Sequence, residues 1–389
     1  MRIAFVSDAY IPVPTGTAVS VEILKRSLEK MGHVVYVFAP EYKTWKDQDR
    51  YVIRLPAIFR KSPKYAPWVW PTVSVNREQI KKLHLDIVHS HYFFDLFPFA
   101  IRLARAVDVP LIHTFYKIFP EFARNNPPLF MSSQRAAENS ILKTCDYAKS
   151  CDQIIALSVA SKKYFSDLSI STPIKVLPVG IFVRDFSSLP AETIKAKYKI
   201  PLKRKLLLYV GRVDENDNIK FLLHSFKKVW KAVDDVHLMI VGGGPRLKDF
   251  RRAIVDQPYH KYVTLTGTMT KAQVNKVFGA ADIFVYPARL DPEPLVILES
   301  LASGTPVVAV KGFGAQDFVE KNQDGLISDF TIEDFSDKII ELLRRDKMRL
   351  DFSMKARFNA GKFKTSNLTG DLLDLYHETI ENHSNKLTK

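Results

Sequence analysis

The stretch DPEPLVILESLASGTPVVAV, residues 291–310, sets three carboxylates around a segment that otherwise reads as buried core. Asp291 and Glu293 flank Pro292 at its start, and Glu299 follows within an apolar run. A small-residue turn, Ser303-Gly304-Thr305-Pro306, then leads into a β-branched run. Pro294 to Ser303 has helical periodicity, and Pro294 suits a first-turn position, where its missing N–H costs nothing. The order is therefore loop, helix, turn and strand. A helix N-terminus favours anions such as a phosphate or phosphosugar. A carboxylate in the preceding loop can accept hydrogen bonds from sugar hydroxyls, and one inside the helix can hold a ribose diol, as acidic residues do in dinucleotide sites. Taken alone, the cluster also fits an N-cap group on an ordinary buried helix.

The same alternation extends over the whole chain. RIAFVS (2–7), HVVYVFAP (33–40), DIVHSH (86–91), PLIHTF (110–115), QIIALS (153–158) and IKVLPVG (174–180) are strand candidates. A helix is expected from about Val19 to Lys30, with Gly32 as its stop signal. After residue 200 the pattern restarts with KLLLYVGR (205–212), a helix from Ile219 to Val233, HLMIVGGGP (237–245), KYVTLTG (261–267), ADIFVYPA (281–288) and TPVVAV (305–310). NKVFGA and PLVILESLAS read as helices. Strands alternating with helices imply βαβ units and mostly parallel sheets. The expected fold class is α/β: two doubly wound Rossmann-like domains facing a cleft, residues 1–185 and 200–362. Ligands in such sheets bind outside the carboxyl ends of the strands.

The 389 residues suffice for two sizeable cores. Hydrophobic residues make up 46% and charged residues 25%, an ordinary globular balance, so a disordered chain is excluded. No uncharged apolar run approaches the roughly 18 residues of a spanning helix. MRIAFVSDAYIP reads as a first strand and not as a signal peptide. Cys145 and Cys151 build neither a disulfide framework nor a metal site, which fits a cytoplasmic protein. The net charge of +15 points to an anionic partner: nucleic acid, a membrane surface or a phosphorylated ligand. Nucleic acid has no other support, since no recognition signature is present. Arg60, Lys61 and Lys64 precede Trp68 and Trp70, a basic-aromatic mixture suited to an anionic membrane interface. A solvated loop with inward-packed tryptophans is the other reading.

With these residues in view, the chain resembles the retaining glycosyltransferases of family 4, which have the glycosyltransferase-B fold. The resemblance runs through PTGTAVS, MGH before VVYVFAP, DIVHSH, VLPVGI, YVGR, VGGGP, AADIFVYP and ESLASGTPVV. Within the family it looks most like bacterial enzymes that glucosylate diacylglycerol, through IHTFYKIFPEF (112–122) and ESLASGTPVV. The resemblance implies that Glu299 binds the nucleotide ribose, Asp291 contacts the transferred sugar and Arg212 meets the donor diphosphate. Gly16 would let backbone approach the phosphate, and His91 would face the donor sugar. Gly243 and Pro245 would close on the base. Glu293, Leu295 and Val296 complete the donor side, and Thr17, His113 and Tyr116 the acceptor side. For His91 and His113 a structural role in the strand remains the other reading. A helix over 366–387 is expected to pack back on the N-terminal domain.

The chain departs from the family pattern in three places. Asp291 stands where a glutamate is usual. Asn216 and Asp217 replace a Glu-Lys pair whose lysine binds the diphosphate; a carboxylate there repels the donor, by an amount that grows in a dry site. Pro292-Glu293-Pro294 replaces smaller residues, and Pro294 has no N–H to donate. Lys220, Arg289 or Lys311 are candidates for the replacement cation. The expected function is transfer of a hexose, with retention, from a nucleotide sugar, UDP-glucose, to a membrane lipid such as diacylglycerol or a lipid-linked sugar. The expected place is the inner face of the cell membrane, peripherally bound. No cofactor or metal is expected beyond the nucleotide sugar as co-substrate. The alternatives are a non-catalytic glycosyltransferase-like partner subunit and a transferase with a soluble or polysaccharide acceptor. Oligomeric state is not legible.

Overall fold

The computed structural model describes residues 1–387 except 14, 43–44, 59–67, 70–75, 92–95, 119–122, 125–131, 183–189, 215–217 and 245. Asp217 and Pro245, and with them Arg60, Lys61, Lys64, Trp70 and Asn216, lie outside the described residues. The chain forms two compact units, Met1–Val179 with Thr365–Lys389, and Gly180–Lys364. The chain leaves the first unit at Val179, six residues before the expected end of the first domain at residue 185.

In the first unit the strands are β1 (Arg2–Ser7), β2 (Val34–Pro40), β3 (Val52–Leu55), β6 (Ile87–His91), β7 (Leu111–Phe115), β8 (Gln153–Ala156) and β9 (Ile174–Val176). They make a parallel sheet in the order β3-β2-β1-β6-β7-β8-β9. Ala57–Ile58 (β4) and Trp68–Val69 (β5) form a separate antiparallel pair. One sheet face carries Ile3, Phe5, Val35, Val37, Ile87 and Ile112, packed with Val21, Leu24 and Leu28 of the helix Gly16–Lys30 and with Leu372, Leu375 and Tyr376 of the helix Thr365–Leu387. Each such large apolar side chain, fully buried, is worth about 1.5–3 kcal/mol.

In the second unit β10 (Lys205–Val210), β11 (Val236–Val241), β12 (Val263–Gly267), β13 (Ile283–Tyr286), β14 (Val307–Val310) and β15 (Gly325–Ser328) are all parallel, in the order β12-β11-β10-β13-β14-β15. Leu206, Leu208, Met239, Phe284 and Val307 point to one face, against Ile297, Leu298 and Leu301. Leu207, Tyr209, Leu238, Ile240 and Val308 point to the other, against Leu222, Phe226, Phe335 and Ile339. Burial on both faces explains why these strands read as continuous apolar runs and not as alternating ones.

Each unit has one point where strand order reverses, β1/β6 in the first and β10/β13 in the second. Ligands of open α/β sheets bind there, at the carboxyl ends. Gly16 and His91 follow or end β1 and β6; Arg212 and Asp291 follow β10 and β13.

Several boundaries differ from the sequence expectation for local reasons. The helix expected from Val19 begins at Gly16, because the Thr15 side chain accepts from the Ala18 N–H and caps it. IKVLPVG pairs only over its first three residues; Pro178 has no N–H and Gly180 turns with φ +75°. Pro294 is the cap of the helix Leu295–Ala302 and not its first turn, with ψ at +83°.

The glycine run after β11 is forced by packing. A Cβ on Gly242, whose φ is +147°, would fall 1.8 Å from the Gly211 carbonyl oxygen, and one on Gly244 would fall 2.4 Å from that of Val213. Gly267 also has positive φ, but a Cβ there meets nothing within 4 Å. Gly242→Ala is therefore expected to destabilise the second unit by more than about 3 kcal/mol, whereas Gly267→Ala carries only local strain of about 1–2 kcal/mol. Urea midpoints of the two variants check this; equal losses would contradict it.

Candidate active site

The second unit gathers its candidate residues at the carboxyl edge of its sheet. Two turns lie backbone against backbone there. The Gly211 N–H donates to the Val241 carbonyl at 3.1 Å, the Val213 N–H to that of Gly243 at 3.0 Å, and the Gly242 N–H to that of Gly267 at 2.9 Å. The Tyr209 hydroxyl donates to the Arg212 carbonyl at 2.8 Å. Arg212 is thus fixed by its backbone, and its half-exposed side chain pairs through Nε with Asp214 at 3.3 Å. Sequence reading missed Asp214, which only the close turn brings beside the guanidinium.

The loop after β13 is held in a similar way. The Phe313 N–H donates to the Arg289 carbonyl at 2.8 Å, and Gly312 and Gly314 give the loop room. Asp291 is exposed, and its Oδ1 accepts from the Glu293 N–H at 3.1 Å. Glu293 is buried, and its Oε1 accepts from the Gly180 N–H at 2.9 Å. Leu295 is buried and Val296 half-buried at the helix start. The Leu295 N–H bonds to the Glu293 carbonyl at 2.9 Å and the Ile297 N–H to that of Pro294 at 2.8 Å.

Glu299 lies in the second turn of that helix and is buried. Burial pushes its carboxyl above the usual carboxylate range, and Lys271 pulls the other way. Lys271 is half-exposed at the start of the helix Lys271–Phe278 and pairs with Glu299 Oε1. Lys271 stands 28 residues from Glu299, and nothing in the sequence links the two. The Arg289 guanidinium stacks 4.8 Å from the centre of the Phe330 ring.

In the first unit, Gly16 opens a helix. A Cβ there meets nothing within 4 Å, so the fold itself does not demand glycine. Thr17 is buried on the same turn. His91 ends β6, fully buried; its Nδ1 lies 3.2 Å from the Tyr116 hydroxyl, and its Nε2 has no hydrogen bond among the described residues. His89, two residues back on the same face, lies 2.7 Å from the Thr114 hydroxyl and 2.6 Å from that of Tyr376. His113 sits on the opposite face, 2.7 Å from the Ser90 hydroxyl and edge-on to Phe97 and Phe115. It is a buried core residue, which fits the structural reading of this position beside the acceptor-side role that the resemblance implied.

Residues 190–358 match the model described as glycosyl transferases group 1, and residues 14–184 match that of glycosyltransferase family 4. An α-monoglucosyldiacylglycerol synthase of Streptococcus pneumoniae is 30% identical over 79% of this chain and 71% of its own length. The chain belongs to glycosyltransferase family 4. A second α-monoglucosyldiacylglycerol synthase, from Acholeplasma laidlawii, is 26% identical over the whole of both chains. Among solved structures, HepE from Anabaena in complex with UDP-glucose superposes with TM-score 0.76 at 15% identity, over 97% of this chain and 100% of that one. That likeness shows the glycosyltransferase-B fold. Among the described residues no helix of this glycosyltransferase is long and apolar enough to cross a membrane, and no cluster of metal-binding side chains occurs.

Burial gives a test of the histidine cluster. Desolvation holds His89 and His91 well below the usual range and pushes His113 down to about 3. All three are neutral when folded at pH 5.5, whereas in the unfolded chain they protonate below about 6.5. Their stabilisation is therefore complete above pH 6.5 and is lost as pH falls. Between pH 7.5 and 5.5 the three together are expected to cost on the order of a few kcal/mol. Denaturant midpoints for the first unit measure this, and a flat profile over that window would contradict neutral burial.

Proposed function

We propose that this glycosyltransferase moves glucose from UDP-glucose, with retention, to diacylglycerol or a related lipid acceptor at the cytoplasmic face of an anionic membrane. The observation that carries the proposal is the end-to-end match to an α-monoglucosyldiacylglycerol synthase. The names of those relatives specify an α-linked product, and the glucose of UDP-glucose is α-linked too, so retention follows from the same reading. The basic balance of the chain favours an anionic surface.

The donor occupies the carboxyl edge of the second sheet in this account. Arg212, held by Asp214 and by its own backbone, meets the diphosphate and stabilises the charge that grows on departing UDP. Arg289, steadied on Phe330, and Lys311 follow β13 and β14 and supply the cation that Asp217 cannot. Glu299 takes the ribose hydroxyls, which displace the Lys271 ammonium. Asp291 holds the sugar. The buried Glu293 carboxylate acts beneath the loop, on Gly180, in place of the direct donor contact the sequence resemblance implied. His91, neutral at physiological pH, offers a hydrogen bond and not a proton. Gly16 leaves space for phosphate. Thr17 and Tyr116 stand on the acceptor side. In the reaction the bond from the anomeric carbon to the diphosphate oxygen breaks and one to the acceptor oxygen forms on the same face. The acceptor proton passes to the departing diphosphate.

UDP release from UDP-glucose in the presence of diacylglycerol vesicles tests this. Release that requires the lipid is expected. Glu299→Gln should lower it by about tenfold to a hundredfold, the worth of hydrogen bonds to a charged group, without moving the melting temperature. Gly16→Ala should also lower turnover while leaving stability intact, because only a ligand needs that space. Release indifferent to lipid, or Gly16→Ala with full activity, would contradict the reading.

A further inference from the structure

The helix Asp346–Ala360 buries Arg349, Phe352, Ala356, Asn359 and Ala360. Its opposite side is not the polar one expected of a surface helix. Leu350, Met354 and Phe358 are 62%, 70% and 77% exposed. Spaced four residues apart, they form one ridge along the helix. Isolated exposed apolar residues need no explanation, but three in one ridge do.

Charge around the ridge says what covers it. Lys347 and Lys355 are exposed beside it, and neither forms an ion pair among the described residues. With Arg345 they line a shallow groove of about 570 Å³ that the three ridge residues themselves do not line. Two carboxylates share the groove: Asp346, which pairs with Arg349 at 2.6 Å, and Asp351. Arg345 pairs with Glu341 at 2.7 Å, so Lys347 and Lys355 are the cations available to a partner. Lysine is depleted at protein–protein interfaces, whereas apolar ridges flanked by lysine suit the headgroup boundary of a bilayer.

We infer that this side of the Asp346–Ala360 helix docks on an anionic bilayer, Leu350, Met354 and Phe358 entering the headgroup boundary and Lys347 and Lys355 meeting lipid phosphates. The same helix grips the turn that ends the Glu299 helix, since the Ser353 hydroxyl donates to the Gly304 carbonyl at 2.6 Å and Arg357 to that of Ser303 at 3.3 Å. Docking would thus fix the donor unit at the lipid surface. The inference rests on the lipid-acceptor reading above.

The test is flotation of the full chain with vesicles of phosphatidylcholine, with or without about a third phosphatidylglycerol. The wild type should float with the anionic vesicles only. Leu350→Ser/Met354→Ser/Phe358→Ser and, separately, Lys347→Glu/Lys355→Glu should weaken this by about tenfold or more, while Leu142→Ser, an exposed apolar residue elsewhere, should not. On diacylglycerol dispersed in detergent, all variants should turn over like the wild type. Vesicle binding unchanged in both multiple variants would overturn the inference and leave the lipid acceptor standing. So would a change of oligomeric mass in place of a change in vesicle binding, which would make the ridge a protein contact. Absence of turnover on dispersed lipid in the wild type would instead sink the acceptor reading itself.

Discussion

The second unit depends on one contact that only glycine allows. The Gly242 α-carbon lies so close to the Gly211 carbonyl that no side chain fits between them. That approach lets the turns after β10 and β11 exchange hydrogen bonds, and it fixes the backbone at Arg212. A guanidinium on a mobile loop would lose conformational freedom on meeting a diphosphate. One held by Asp214 and a locked turn has lost most of it already. The loop from Arg289 to Asp291 gains its rigidity in the same manner, from Gly312 and Gly314. The edge to which the proposed function assigns the donor is therefore built in advance.

The first unit solves a different problem. Three histidines lie in its core, and each finds a hydroxyl: His89 those of Thr114 and Tyr376, His91 that of Tyr116, His113 that of Ser90. Neutral imidazoles are cheap to bury when so satisfied. Through Tyr376 the C-terminal helix is tied to the centre of the sheet. His91 differs from the other two in standing at the end of its strand, and its Nε2 has no hydrogen-bond partner among the described residues.

Most of the architecture was legible in the sequence, because parallel strands buried on both faces leave long apolar runs separated by helical periodicity. The placement of Arg212, Asp291 and His91 at or just after the carboxyl ends of strands was legible too. What escaped depends on contacts that only the fold or a local turn creates. No periodicity announces that Lys271 meets Glu299, that Asp214 turns back onto Arg212, or that the Glu293 carboxylate reaches Gly180. Helix starts were misjudged at Gly16 and Pro294 because side-chain capping and the ψ of a single residue decide them. The apolar ridge of the Asp346–Ala360 helix was hidden for another reason: sequence shows that Leu350, Met354 and Phe358 share a face, but not which face is covered.

The proposed function requires the carboxyl edge of β10, β11, β13 and β14 to be a nucleoside-diphosphate site. Calorimetric titration of UDP into the intact protein and into Arg212→Gln measures it most directly. The account predicts saturable one-to-one binding to the intact protein, weakened by about tenfold or more in the variant, the worth of a charged hydrogen bond. Equal affinity in the two proteins, or no binding to a folded wild type, would contradict it.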